Sequence, residues 1–269
     1  MTALVLLGLF LPALFYLPMI AWAGLMMALT LLCLREWAGF LMWSPQATRI
    51  YLAVSALLGL SLLGLLVSRG FHWFFYQSMQ WFSLATVFWL LVVPVAIYRN
   101  QFSRSPWLNA LLGWGLLLAL WMALVVTQEI NPKFLLVIIS TIWLADSAAY
   151  FAGKHFGRHK LAPLVSPGKT WEGVAGALLA VAGYAALLRL SGAVTTWWVL
   201  PCLWVVTIAG VYGDLFESYF KRRANLKDSG NILPGHGGLL DRVDGVIPAL
   251  PIGLCMVYWF HYFQQTYSF

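Results

Sequence analysis

Residues 107–126 read Trp-Leu-Asn-Ala-Leu-Leu-Gly-Trp-Gly-Leu-Leu-Leu-Ala-Leu-Trp-Met-Ala-Leu-Val-Val, twenty positions without a charge. At about 1.5 Å of rise per residue such a helix is about 30 Å long, the thickness of a bilayer's hydrocarbon core. Comparable apolar stretches occupy 3–17, 18–34, 50–67, 80–98, 134–152, 173–190, 196–216 and 246–264. In lipid every backbone N–H and C=O must be paired within its own segment, so each stretch is expected as a helix. The expected fold is an all-α integral membrane protein, a polytopic bundle of about nine transmembrane helices. The first two stretches are divided only by Leu17-Pro18, which fits a tight hairpin or one kinked segment, and the total is eight or nine. Composition agrees: 62% of residues are hydrophobic, 15 are Trp, 9% are charged and the mean hydropathy is +0.82, which excludes a soluble protein. No separate soluble domain, low-complexity tract or repeat is visible. The first apolar run lacks a basic leader and a small-residue cleavage site, so it is expected to be retained. Cys33, Cys202 and Cys255 are far apart in apolar sequence and read as packing residues.

With nine spans the cations divide unevenly between the two sides. Arg35, Arg49, Arg99, Arg104, Lys154, Arg158, Lys160, Lys169, Lys221, Arg222, Arg223, Lys227 and Arg242 fall on one side, and only Arg69, Lys133 and Arg189 on the other. The excess of Lys and Arg on cytoplasmic loops then puts the richer side, and the N-terminus, in the cytoplasm. The net charge of +7 thus serves topology and anionic lipid, and no nucleic-acid partner is expected.

Carboxylates are distributed still more unevenly. Glu36 is the sole acidic residue in the first 128 positions, and the other eight lie between Glu129 and Asp244. Residues 218–244 form a polar island in which Lys221, Arg222, Arg223, Lys227 and Arg242 meet Asp228, Asp241 and Asp244 around a Pro234-Gly235-His236-Gly237-Gly238 turn. Just before it, Asp214 and Glu217 end an apolar run and Asp146 ends another. Carboxylates at membrane depth are costly and face a cavity or a partner. On a helix Asp214 shares a face with Glu217 and Ser218, and Asp241 with Asp244, so two helix ends can converge on one cation. Hard oxygen ligands with room for water and phosphates suit Mg²⁺ better than zinc. The alternative is an ordinary loop network in which Asp241 and Asp244 pair with Arg242 and Lys227. The glycines of the turn let backbone N–H groups approach an anion closely. His236 is either a phosphate donor or acid, or a hydrogen-bonded turn residue. Ser166-Pro167-Gly168-Lys169-Thr170 is no Walker loop, since Pro163 stands where the first glycine is required, yet it sets Lys169 and hydroxyls before the run at 173–190.

Ser218-x-Phe220-Lys221-Arg222, Lys227-Asp228-x-Gly230 and Leu233-Pro234-x-His236-Gly237-Gly238-Leu239-x-Asp241-Arg242-x-Asp244 resemble the signature of the phosphatidate cytidylyltransferases, or CDP-diacylglycerol synthases. Ala145-Asp146-Ser147, Gly153-Lys154 and Val165-Ser166-Pro167-Gly168-Lys169-Thr170-Trp171-Glu172-Gly173 also look like segments of the bacterial enzymes. The resemblance covers about residues 140–245; the first 130 share only apolar character. It implies transfer of CMP from CTP to phosphatidic acid, with Mg²⁺ and room for a second cation such as K⁺, in a homodimer of the bacterial inner (cytoplasmic) membrane whose active site faces the cytoplasm. It further implies Asp214, Asp241 and Asp244 as metal ligands, with Asp228 as a further or outer ligand. Lys221, Arg222, Lys227, Arg242 and His236 then handle the triphosphate. Ser218, Gly235, Gly237 and Gly238 bind phosphate oxygens, and Asp146, Ser166 and Lys169 complete the substrate cavity. On this reading residues 1–130 are scaffold, dimer or lipid-facing helices, and 131–269 the catalytic region with its loop at 214–244. An ion-coupled transporter would use Asp146 and Asp214 but should carry repeats, which are absent. A CTP-dependent transferase or kinase acting on a polyprenol or ether lipid is the nearer alternative.

Overall fold

The computed structural model describes residues 2–232 and 237–267, with side chains described for 8–232 and 237–260. Its helices are α1 (Thr2–Tyr16), α2 (Met19–Phe40), α3 (Pro45–Val87), which continues through a π-helical turn (Phe88–Val92) into α4 (Val93–Tyr98), α5 (Pro106–Ile130), α6 (Pro132–Phe156), α7 (Trp171–Leu190), α8 (Val199–Arg223), the short α9 (Leu240–Val243) and α10 (Val246–Tyr267). Several starts follow one local rule. Ser44, Ser105 and Asn131 cap the next turn by accepting an N–H from Ala47, Leu108 and Lys133, and each is followed by a proline, whose missing N–H costs nothing at the first helical position.

Among the described residues seven helical stretches are long and apolar enough to cross a membrane, and the polytopic helical fold is borne out. Two expected spans, 50–67 and 80–98, lie in one 54-residue stretch, Pro45–Tyr98. That stretch turns back on itself at Gly70 (φ 78°, ψ 169°). On the first limb Tyr51 stacks on Trp114 of α5, and just past the turn Phe74 meets Trp121 of the same helix. On the return limb Phe75 meets Tyr258 of α10, Ser83 lies 3.7 Å from the Cys255 sulfur, and Trp89 reaches Phe216 of α8. Helix continues on both sides of this single glycine, with no loop between the limbs.

The main core joins α2, α3, α5, α8 and α10. Indoles tie α2 to α5: Trp22 Nε1 donates to the Leu124 carbonyl (3.0 Å), Trp121 Nε1 to Ala23 (2.9 Å) and Trp37 Nε1 to Asn109 (2.9 Å). Each buries a large ring while meeting its one donor. A second cluster, Ala145, Ala177, Val181, Ala185 and Leu203, joins α6, α7 and α8. Small residues let these backbones close in: a Cβ on Gly173 would lie 2.9 Å from the Ala149 carbonyl oxygen, and one on Gly176 would overlap Ala152. Between α6 and α7 stands an element absent from the sequence reading, an antiparallel hairpin of β1 (Lys160–Ala162) and β2 (Ser166–Thr170) with Lys160 opposite Thr170.

Candidate active site

The last turns of α8 carry Asp214, Glu217, Ser218 and Lys221 at helical spacings of three and four, so they share a face. Ser218 Oγ donates to Asp214 Oδ1 at 3.2 Å. Gly213 leaves no room for a side chain, because a Cβ there would overlap the carbonyl oxygen of Asp244. This close crossing, with Gly245 packed on Gly210, brings the start of α10 against α8 and sets Asp244 within electrostatic reach of Asp214 and Glu217.

One turn on, Lys221 Nζ lies 2.8 Å from Glu217 Oε2 and 2.6 Å from Asp241 Oδ1, with side-chain exposures of 11%, 3% and 12%. Asp241 Oδ2 in turn accepts the Ser229 N–H (2.9 Å), the Ser229 hydroxyl (2.9 Å) and the Gly238 N–H (2.8 Å). Asp241 therefore ties the two described ends of the signature loop to α8. Behind it stands Glu36 of α2, which accepts N–H groups from Leu239 (3.0 Å) and Leu240 (2.7 Å) and lies 3.2 Å from Ser229 Oγ. Those N–H groups open α9 and have no partner within it, the usual deficit of a helix start.

On the other side of Asp214, a cavity of about 450 Å³ lies between α6, β2, α7 and α8, within the range of small-ligand sites. Asp146, Lys154, Ser166, Lys169 and Asp214 line it. Lys169 Nζ spans it to Asp214 Oδ2 at 2.6 Å. Thr170 ends β2 and caps α7 by accepting the Gly173 N–H, which fixes Lys169 on the cavity wall.

Of the expected site residues, Asp146, Ser166, Lys169 and Asp214 come together in the cavity, and Ser218, Lys221, Gly238 and Asp241 in the adjoining network. Gly237 adopts a positive φ of 81°, where a Cβ would lie 3.0 Å from Asp241 Oδ2 and 3.6 Å from the Asp228 side chain. Arg222, Lys227, Asp228 and Arg242 are exposed, Arg222 donating to the Leu226 carbonyl (3.3 Å). Gly235 and His236 lie outside the described residues. Among the described residues no three His, Cys, Asp or Glu side chains are gathered closely enough to share a metal, so Asp214, Asp241 and Asp244 do not form a ready-made triad. Glu36 and Ser229 were missing from the expected set, and Glu217 was expected only to share the Asp214 face, without a role of its own. Glu217 carried a signal in its i, i+4 spacing to Lys221, and Glu36 in being the sole early carboxylate.

A cavity lined by lysines and carboxylates, joined to a loop held by charged hydrogen bonds, is suited to phosphate transfer, and comparison with known proteins narrows this class. The sequence model of the Cytidylyltransferase family matches residues 1–260, and the chain belongs to that family. It is 36% identical to the phosphatidate cytidylyltransferase of Pseudomonas aeruginosa over 267 residues, covering 93% of each chain. It is 34% identical to that of Haemophilus influenzae over 277 residues (93% of this chain, 94% of the relative), and 33% identical to that of Staphylococcus saprophyticus over 178 residues (65% and 68%). The likeness thus extends into the first 130 residues, which the motif resemblance at 140–245 did not reach. The chain is a nucleotidyltransferase and a multi-pass membrane protein with bacterial relatives.

Cytidylyltransferases of this kind generally use a divalent metal. The residues here fit one. Glu217 Oε1 is buried without a hydrogen-bond partner, and Asp214 already holds a cationic group, the Lys169 ammonium, on one oxygen. Both offer the hard oxygen donors that divalent cations of the Mg²⁺ type prefer.

Proposed function

We propose that this protein transfers CMP from CTP to phosphatidic acid, giving CDP-diacylglycerol and pyrophosphate. The observation that carries the reading is the continuity along one face of α8, from the Lys169–Asp214 cavity to the Lys221–Asp241 signature network. An oxygen of the lipid phosphate attacks the α-phosphorus of CTP, and the bond from that phosphorus to the pyrophosphate oxygen breaks. The nucleophile is a phosphomonoester, largely ionised at neutral pH, so no strong protein base is needed. Catalysis then rests on positioning and charge neutralisation. Lys169, from the cavity wall, and Lys221, Arg222, Lys227 and Arg242, from the signature, face the triphosphate and the departing pyrophosphate. Ser218 and the Gly237-Gly238 backbone orient phosphate oxygens, and Asp146 and Ser166 close the cavity from α6 and β2. Asp214, Asp241 and Asp244 are the residues we assign to Mg²⁺, with Asp228 outside them; when bound, the metal would neutralise charge on the phosphates.

The acyl chains stay in the bilayer and enter between helices, since leaving lipid gains them nothing. The site faces the cytoplasm, on the strength of the cation distribution, and two copies pair as the family resemblance implies. The test is formation of CDP-diacylglycerol by the purified protein from phosphatidic acid, CTP and Mg²⁺. Asp241→Asn is expected to cut the rate by about a hundredfold or more, the upper end of what even outer metal-site substitutions cost. Full activity in a folded Asp241→Asn protein would remove Asp241 from the site.

A further inference from the structure

Glu36 sits on α2, with the Ser229 contact 193 positions away in sequence and the Leu240 contact 204 away, and it is 5% exposed. A buried carboxylate is expensive unless fully hydrogen-bonded, and helix packing alone would be served by an apolar side chain. What Glu36 binds is the signature loop: the Leu239 and Leu240 N–H groups and the hydroxyl of Ser229, which also donates to Asp241. Two loop glycines make room for it. A Cβ on Gly230 would come 2.5 Å from Glu36 Oε1, and one on Gly238 would come 2.7 Å from Oε2 while overlapping Ser229 Oγ. Glu36 does not line the cavity, so it acts on the chemistry only through the loop.

We propose that Glu36 is a positioning residue for nucleotidyl transfer: from α2 it holds both described ends of the signature loop, and thereby fixes Asp241 against Lys221. The inference rests on the proposed function in taking that loop as catalytic. It also gives a physical reason for glycine at position 230, where the three nearest atoms to an added Cβ all belong to Glu36.

The test uses the full chain in lipid-supplemented detergent. Glu36→Gln keeps the size but turns one acceptor into an amide donor aimed at a backbone N–H. It is expected to speed tryptic cleavage after the exposed Lys227 and to lower kcat for CDP-diacylglycerol formation by about tenfold or more, with KM for phosphatidic acid nearly unchanged. Thr30→Val, which removes a buried hydroxyl bonded to Met26 on the same helix, is expected to lower the thermal midpoint without changing either readout. Gly230→Ala presses the carboxylate from the loop side and should reproduce both effects with α2 intact, so it decides the matter if Glu36→Gln does not fold. Wild-type cleavage and kcat in folded Glu36→Gln or Gly230→Ala protein would overturn the proposal, as would equal losses in Thr30→Val. If the wild-type chain makes no CDP-diacylglycerol, the proposed function fails on its own, and cleavage after Lys227 still decides whether Glu36 holds the loop.

Discussion

Lys221 is held between two carboxylates that are themselves almost out of solvent, and removing it would leave both unpaired. Breaking one partner of a buried pair costs about 3–5 kcal/mol. Lys221→Ala is therefore expected to lower the thermal midpoint markedly and to abolish nucleotidyl transfer. Arg222→Ala, in a phosphate-facing role, is expected to lose activity with little change in midpoint. Arg223 donates to the Ser103 carbonyl, away from the Lys221 network, and Arg223→Ala should stay near wild type on both measures. Equal losses at Lys221 and Arg223 would mean that α8 contributes general positive charge and no specific lysine. At this scale the polar island was legible because charge is scarce in this chain and its spacing is regular. Glu36 and Ser229 were not, because a hydrogen bond between residues 193 positions apart leaves no trace in local spacing.

At the scale of elements, the helices could be read from apolar runs, and their starts from Ser-Pro and Asn-Pro pairs, because both depend on chemistry within a few residues. The turn at Gly70 could not, since one glycine with no proline or second glycine beside it does not announce a reversal. Its φ of 78° and ψ of 169° belong to a region open essentially to glycine alone, and a Cβ there would meet nothing within 4 Å. Gly70→Ala should thus carry only the backbone penalty, about 1–3 kcal/mol, seen as a lower thermal midpoint with kcat preserved in the folded fraction. An unchanged midpoint would show that the limbs do not depend on that conformation. Gly176→Leu tests the packing of α6 on α7: the side chain would drive the helices apart at Ala152 and should raise KM for CTP by deforming the cavity wall. The β1–β2 hairpin escaped the sequence reading because its short strands lack alternation between apolar and polar positions.

For the whole molecule, the main core cluster draws residues from Leu14 to Cys255, and the family match from residue 1 to 260 has the same reach. The motif resemblance stopped near residue 140 because helices serving mainly as apolar packing accept many sequences. Charge asymmetry makes the orientation testable. Lys133, in the first turn of α6, and Arg158, just past its last residue, lie exposed at opposite ends of that helix. In cells, Arg158→Cys is expected to react only with thiol reagents that reach the cytoplasm, and Lys133→Cys with impermeant reagents from outside; the reverse pattern would turn the proposed site away from cytosolic CTP.

The proposed reaction moves the α-phosphorus of CTP to a lipid phosphate. The most direct measurement follows two labels in parallel, CTP labelled at the α-phosphorus and CTP labelled at the γ-phosphorus, each with phosphatidic acid, Mg²⁺ and the purified protein. The α-label is expected in the organic phase as CDP-diacylglycerol, dependent on phosphatidic acid, and the γ-label in the water as pyrophosphate. A γ-label carried into the lipid would mark a CTP-dependent kinase, and an α-label that stays in the water would contradict nucleotidyl transfer to this lipid.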